Sequence, residues 1–565
     1  MSMAARIGWM VLICVTLYVC YFSHLGAIGF VGPDEPRYAW IARAMVETGD
    51  WVTPRLYDKP WFEKPPLNYW GAALCFKLFG VNEAAARLPS AVSALLAALA
   101  MAWLAWRVYG PETARWLLLL LPTTVGMIGF SHAAATDMPF SGMLTIAMVC
   151  AAAVVGLTDR ETNEELAQSR ERGTPVRRPG APPGRSAATL LFGFFLGLAV
   201  LAKGPAGIVL CGGSVFFWGL FTKRWREALR LLHPAGIAVF CATALPWYIL
   251  CARRNPDFFH IFIIEHNFKR FLTPEFQHIQ PFWFYVPVLL IAFLPWTAVF
   301  VWTMSAVARS AYRREVTHAT GFLLAWAVFC VLFFSISQSK LPGYVLPAVP
   351  ALGMLMARDC AASSPATRRS RGASLLALAV IFLGLWIWLP RGGLQFFDRL
   401  GGFSLLARFL LLVIAVSGFL LGLSLLVTRR RHRMAFLSLS IVCLMLPLAL
   451  AKQILPRTPM FLLSPSYLAR EIRREGFATP DLKLAGIGRN IRFGLDFYLH
   501  TELSDWDRNP NRQVYVLAYG ELPCQDIPKE MLCRDLWMER ERLDLFRVLH
   551  VVPKSSAGTP GGKAQ

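Results

Sequence analysis

The strongest constraint on this chain is a succession of thirteen apolar runs separated by short polar gaps. They fall near residues 8–30, 88–108, 114–131, 138–157, 187–201, 206–221, 235–251, 283–307, 319–336, 343–357, 373–390, 404–427 and 435–451. A bilayer core about 30 Å thick is crossed by roughly 20 helical residues, so runs of this length read as spans. Hydrophobic residues supply 56% of the 565-residue sequence and charged residues only 16%, with 40 Phe and 19 Trp. A soluble fold has no interior large enough to hide that much apolar surface, whereas Trp is favoured at bilayer edges. The predicted class is a polytopic α-helical membrane protein of about thirteen spans, occupying residues 1–451 and carrying a long outer loop at 31–87.

The formal net charge is +22, but its placement argues against nucleic acid. No zinc-finger spacing, basic helical face or aromatic-interleaved basic tract is present. Arginine concentrates in alternate gaps: "RVYGPETAR", residues 158–186, "TKRWREALR", "RSAYRREV", "ARDCAASSPATRRSR" and "TRRRHRM". The intervening gaps, such as "SHAAATD" and "SISQS", are nearly free of basic residues. Lys and Arg are retained on the cytoplasmic side, so the arginine-bearing gaps and the N-terminus are predicted inside. The first run is long and lacks a small-x-small cleavage site, and it reads as a retained helix. An odd number of spans puts the tail, 452–565, outside, which in a two-membrane bacterium is the periplasm.

Within the tail, "LKLAGI", "QVYVLAY" and "LFRVLHVV" read as strands, and "YLAREIRREG" and "IRFGLDFYL" as helices. A small periplasmic α/β domain is predicted, without a nucleotide-binding glycine fingerprint. Cys524 and Cys533 lie in this polar tail, where an oxidising compartment permits a disulfide. The loop 158–186 reads as a cytoplasmic hairpin, and the tip "PKSSAGTPGGKAQ" as disordered.

The ionisable residues at the outer membrane edge form the candidate site, because charge near hydrocarbon is costly unless paired or used. In "FVGPDEPRYAWIARAMVETGD", Pro36 suits a first helical turn and Tyr38, Ile41, Ala42, Met45 and Val46 share one face. A short interfacial helix ending at Gly49 is expected, with Asp34, Glu35 and Arg37 at its start. Glu35 reads chiefly as a helix cap. The next segment, "YDKPWFEKPPLNYW", supplies Lys59, Glu63 and Lys64, the last two pointing to opposite sides of an extended chain. Asp137 stands in "SHAAATDMPF", Lys203 in "VLAKGPAG", and Lys340 and Tyr344 in "SKLPGYVLP". The aromatic-rich loop after residue 258 offers Glu265, His266, Lys269, Arg270 and His278. Zinc on Glu63 and His266 would have only two protein ligands, a weak metal signal.

Cations at the outer edge of a bilayer suit a phosphate whose hydrocarbon tail stays in lipid. Carboxylates beside them orient a sugar, stabilise positive charge at an anomeric carbon, or act as a base. Together they describe a transferase using a lipid-linked phospho-sugar donor. A secondary transporter is the rival class, since intramembrane charge and Gly-Pro breaks also suit ion coupling. The elaborate loop 31–87 and the lack of a visible repeat count against it. A non-enzymatic assembly protein does not require charges gathered from six gaps on one side.

The ordered set "PDEPRYAWIARAMVETGDW", "RLYDKPWFEKPPLNYW", "TDMPF", "LAKGP", "EHNFKRF" and "SKLPGYVLP" resembles the bacterial aminoarabinose transferase family over approximately residues 8–350. That family has the C-type glycosyltransferase fold and is related to protein O-mannosyltransferases. The resemblance implies inverting transfer of 4-amino-4-deoxy-L-arabinose from undecaprenyl phosphate to lipid A phosphates, at the periplasmic face of the inner membrane. Its consequence is polymyxin and cationic peptide resistance. Asp34 and Asp137 match the family's acidic positions. Lys64, Arg37, Lys203, Arg270 and Lys340 match its basic positions and, with Tyr344, are the candidates for binding substrate phosphate, while Glu63 and His266 become the candidates for a divalent metal (Zn, Mg or Mn). No cofactor is required, and a monomer is expected. Other members of this group move other sugars, or act on protein or glycan acceptors.

Overall fold

The computed structural model describes residues 3–159, 185–269, 272–273, 279–388, 403–427, 438–445, 448–449, 452–453, 464–477, 479–507, 514–519, 531–536 and 546–553. Six helices are long and apolar enough to cross a membrane: Glu83–Tyr109, Asp137–Val154, Arg185–Lys203, Pro234–Arg254, His318–Ile336 and Pro342–Ala362. A bent pair, Pro111–Leu120 and Val125–Ser131, makes a seventh if its halves, 63° apart, form one span. Helices Pro365–Trp388 and Phe403–Leu426 cover two further predicted runs. The run expected at 283–307 is broken into Tyr285–Ala292 and Thr297–Tyr312. Helical character therefore follows the apolar pattern closely, while length and composition support six or seven spans among the described residues rather than the full thirteen.

The helix Glu83–Tyr109 is inverted relative to a soluble one. On Glu83–Tyr109, Leu96, Leu99, Trp103 and Trp106 are exposed, while Ala91, Ala94, Ala98, Met101 and Ala105 are buried. Hydrocarbon solvates large apolar side chains as well as a protein core does, so association in lipid comes from close packing of small residues. The helix Asp137–Val154 is central, with all but two of its residues buried. It approaches Glu83–Tyr109 at Gly142, where an added Cβ would lie 2.8 Å from the Ser93 carbonyl oxygen. Any larger residue there forces the two helices apart. This packing fixes the N-terminal ends of both helices, where Arg87 and Asp137 stand.

The segment after the first apolar run folds as predicted into a helix, Asp34–Thr48, with Tyr38, Ile41, Ala42 and Met45 buried and Val46 half-buried. It ends at Gly49, whose φ of 73° is the left-handed cap conformation that glycine tolerates best. A two-residue hairpin pairing Arg55 with Pro60 follows, then the helix Leu67–Phe79.

The tail forms the expected α/β unit. Its sheet runs Leu482–Ala485, Val514–Tyr519, Phe546–Pro553, Met531–Leu536, the first pair parallel and the others antiparallel. The fourth strand was not predicted. Helices Pro465–Arg474 and Arg489–Leu499 match the two helical patterns, and Leu468, Ile472, Leu484, Leu495 and Leu517 form their shared core. Most of the 158–186 loop, Cys524, and all of the terminal tip beyond Pro553 lie outside the described residues, as do Arg270 and His278. The proposed Cys524–Cys533 pairing therefore has no structural counterpart here.

Candidate active site

The site is assembled around a buried ion pair that the sequence did not announce. Glu35 is 6% exposed and Arg87, on the first turns of Glu83–Tyr109, is 1% exposed. Arg87 Nε donates to Glu35 Oε1 at 2.9 Å and Nη2 to Oε2 at 2.8 Å. Its other three donors reach the carbonyls of Leu25, Ile28 and Gly29 at 2.8–2.9 Å. Glu35 also accepts from the backbone N–H groups of Val31 and Ala134, both at 2.7 Å. All five guanidinium donors and four carboxylate acceptor positions are thus used, the condition under which a buried pair is tolerated. Glu35 is a tie between loops rather than a simple helix cap.

That tie brings the start of one candidate segment to another. Ala134 lies three residues before Asp137, and Ser90, one turn after Arg87, donates to the Ala133 carbonyl at 2.6 Å. The same helix end therefore holds both the chain leading into Asp34 and the loop leading into Asp137.

Asp34 points the other way. Its side chain is 49% exposed and pairs with Arg37, one turn along the helix. Arg37 is 7% exposed, donates through Nε to the Pro33 carbonyl at 3.0 Å, and lies 3.4 Å from Glu63 Oε2. Burial pulls the Arg37 pKa down, but Glu63 and Asp34 outweigh it and hold the group above its ordinary value. Tyr38, Trp61 and Phe493 surround the guanidinium, with ring centroids at 6.0, 5.6 and 5.2 Å. Glu63 Oε1 is also 3.5 Å from Lys64 Nζ, so the neighbours expected to diverge make an ion pair.

A second cluster forms at the end of Arg185–Lys203. Lys203 Nζ meets Asp137 Oδ1 at 2.5 Å and lies over the Tyr344 ring, 4.6 Å from its centroid. Gly343 permits this approach, since a Cβ there would lie 2.7 Å from Asp137 Oδ1. Asp137 does not cap its helix; Thr136 holds that position. Lys340 is buried and donates to the Ser337 carbonyl within its own loop at 2.6 Å, and desolvation lowers its pKa. Lys59 is exposed on the hairpin, and Glu265 lies 3.8 Å from His260 in the π-helical segment His260–Lys269 that also carries His266.

The described residues contain no preformed zinc site. Glu63 is already balanced by Arg37 and Lys64, and no group of three or more His, Cys, Asp or Glu side chains converges among the described residues. A stable protein site for zinc uses three or four protein ligands.

The C-terminal unit reaches the site as well. Phe493 of Arg489–Leu499 is one of the rings against Arg37. Tyr498 donates to Glu83 Oε1 at 2.8 Å and accepts from the Phe30 N–H at 2.9 Å. Tyr57 donates to the fully buried Asp496 at 2.5 Å. Desolvation raises the Asp496 pKa to about 6, against the lowering effect of its hydrogen bonds to Tyr57 and Leu503. None of these contacts was anticipated.

Paired carboxylates and cations at the ends of apolar helices, beside an aromatic surface, are the parts needed to hold a lipid-linked anion and a polar headgroup. Comparison with known proteins agrees. Residues 9–262 match the family model described as dolichyl-phosphate-mannose-protein mannosyltransferase. An undecaprenyl phosphate-alpha-4-amino-4-deoxy-L-arabinose arabinosyl transferase of Enterobacter sp. (strain 638) is 32% identical over 342 residues, 60% of this chain and 57% of the relative. The enzyme of that name from Pectobacterium carotovorum is 32% identical over 390 residues, covering 67% and 65%. The chain is similar to the bacterial aminoarabinose transferases. Its match spans a little over half the length of the first of these relatives. The fold extends the likeness: the crystal structure of ArnT from Cupriavidus metallidurans bound to undecaprenyl phosphate superposes with a TM-score of 0.73 at 23% identity, covering 98% of this chain and 99% of that one. The C-type glycosyltransferase architecture expected from the motifs is therefore the architecture of this chain.

Proposed function

We propose that the protein transfers 4-amino-4-deoxy-L-arabinose from undecaprenyl phosphate to lipid A phosphates, with inversion, at the periplasmic face of the inner membrane. The observation that carries the reading is the Lys203–Asp137–Tyr344 cluster, tied through the Glu35–Arg87 clamp to the Asp34–Arg37–Glu63–Lys64 network. Thirteen spans with the N-terminus inside would put both clusters on the outer side, together with the C-terminal unit. The similarity to enzymes named for this donor, and to a fold seen with undecaprenyl phosphate, supports the choice of lipid.

In the proposed reaction, an ionised acceptor phosphate oxygen attacks the anomeric carbon. The bond from that carbon to the donor phosphate breaks, and its electron pair stays on the departing undecaprenyl phosphate. No redox change occurs, and one negative charge passes from the acceptor to the leaving phosphate. Because the nucleophile is already anionic near neutral pH, a general base is less needed than for a hydroxyl acceptor. Asp34, half exposed and steered by Arg37, orients the sugar or its amine. Lys203 and Lys64 meet the phosphates and stabilise the charge that accumulates as the bond breaks. The enzyme acts as a monomer. The result would be a less anionic outer membrane and resistance to polymyxin and other cationic peptides.

Mass spectrometry of lipid A from cells with and without the intact gene tests the reading. A phosphate-linked aminoarabinose adduct present only with the gene supports it. Unchanged lipid A overturns it and favours a protein or other glycan acceptor, the class to which the mannosyltransferase family match points.

A further inference from the structure

A cavity of about 520 Å³ lies between the helices Thr297–Tyr312 and Pro365–Trp388, away from the site described above. Trp302, Ser305 and Arg309 face it from the first helix, at the three- and four-residue spacing of one helical face. Thr367, Ser370 and Arg371 face it from the second, with Ser374 one turn deeper. No carboxylate lines it among the described residues.

The two arginines are held differently. Arg371 is fixed by Asp359, with contacts of 2.8 and 3.3 Å, and by Ser363 Oγ at 3.1 Å. Thr303 Oγ1 donates to the same Asp359 Oδ2 at 2.8 Å, and the Trp302 ring lies 6.0 Å from the Arg371 guanidinium. One wall is therefore rigid. Arg309 is exposed and forms no ion pair among the described residues, so it contributes an uncompensated cation.

The position is as informative as the composition. Both helices are apolar along most of their length, and the cavity lies where each turns polar, between the basic stretches "RSAYRR" and "ATRRSR". Basic ends of apolar helices are where headgroups gather when such helices sit in a bilayer. A Trp at this level, two cations and several hydroxyls, in a volume within the usual range of ligand pockets, suit a phosphate carried on a glycerol backbone.

We propose that this cavity binds the headgroup of an anionic phospholipid, with Arg309 on the phosphate and the hydroxyls of Ser370 and Thr367 on its remaining oxygens or on the glycerol. The proposal is independent of the sugar-transfer reading and is tested by binding alone.

The test uses native mass spectrometry of the purified full-length protein titrated with phosphatidylglycerol, with phosphatidylcholine, and with phosphatidylglycerol in the presence of millimolar inorganic phosphate. Removing one cation near a membrane anion weakens binding about five-fold, so Arg309→Gln is expected to lose roughly that factor and Arg309→Glu roughly twenty-five-fold. Arg313→Glu, at the exposed C-cap just past the end of that helix and outside the cavity lining, is expected to leave binding unchanged. Arg309 is exposed, so neither substitution at that position should affect folding, and an unchanged melting temperature without added lipid checks this. Equal phosphatidylglycerol affinity in wild type and Arg309→Glu overturns the proposal. So does equal affinity for phosphatidylcholine, and displacement by inorganic phosphate would reassign the site to a soluble anion.

Discussion

Truncation of Arg87 is the perturbation with the largest calculable consequence. Arg87→Ala leaves the Glu35 carboxylate buried with only the Val31 and Ala134 N–H groups, and it orphans the carbonyls of Leu25, Ile28 and Gly29. Breaking a buried pair by removing one partner costs about 3–5 kcal/mol, much of it the uncompensated charge. Glu35→Ala is expected to cost a similar amount, since it strands the guanidinium instead. The double variant removes both charges together, so its cost should fall short of the sum by roughly 2 kcal/mol, a coupling typical of residues in one network. Denaturant-titrated unfolding in mixed micelles, read by tryptophan fluorescence, measures all three. Additive costs, or a loss below about 1 kcal/mol in Arg87→Ala, would refute the claim that this pair holds the site together. Activity supplies a second readout, because the clamp joins the segments bearing Asp34 and Asp137. Arg87→Ala enzyme that remains folded is expected to lose turnover although Arg87 points away from the half-exposed Asp34.

Asp34→Asn should lower turnover by about a hundred-fold or more while costing less than about 1 kcal/mol of stability, because Asp34 is half exposed and the buried Arg37 keeps Glu63 as a partner; near-normal turnover by folded enzyme would remove Asp34 from the chemistry. Lys203→Ala should raise the KM for the polyprenyl donor about ten-fold or more by deleting a phosphate-facing cation, and an unchanged donor KM and turnover would contradict that role. Phe493→Ala removes a cation–π contact to Arg37 worth about 0.5–1 kcal/mol together with packing, so proteolysis of the C-terminal unit should accelerate and turnover should fall several-fold. For Asp496, the folded pKa of about 6 exceeds the ordinary 3.8, so the folded unit takes up a proton that the unfolded chain does not in the window between. Stability there falls as pH rises and is lowest above 6. Hydrogen exchange of Arg489–Leu499, corrected for intrinsic rates, should show more protection at pH 5 than at pH 7, with the difference much reduced in Asp496→Asn.

The legible and illegible parts of this protein divide by the range of the forces involved. Apolar runs report a local requirement, that every span satisfy its own backbone within hydrocarbon, so helix after helix was readable from the sequence. The interfacial helix was readable for the same reason, through Pro36, its apolar face and Gly49. Lys203 and Asp137 were readable as charges in the wrong place, although their 2.5 Å contact was not. Arg87 gives only a faint signal, an arginine in the first turns of a span, because its partner Glu35 lies 52 residues earlier. Phe493 and Asp496 gave none, because their meaning depends on Arg37 and Tyr57, more than four hundred residues away along the chain.

Asp34 and Glu35 show the limit most sharply. They are adjacent, chemically alike and equally near the membrane, yet successive residues on a helix point about 100° apart. One carboxylate stays half exposed beside Arg37, and the other enters the protein to meet Arg87. Both acids lie on the side of the apolar face formed by Tyr38, Ile41, Ala42 and Met45, so helical phase against that face does not separate them. The difference follows from the partners each meets: Arg87 and the N–H groups of Val31 and Ala134 take Glu35 into the protein, while Asp34 stays half exposed against Arg37. An arginine in the first turns of a neighbouring helix therefore decides which acid of the pair is spent on structure and which is available to a substrate.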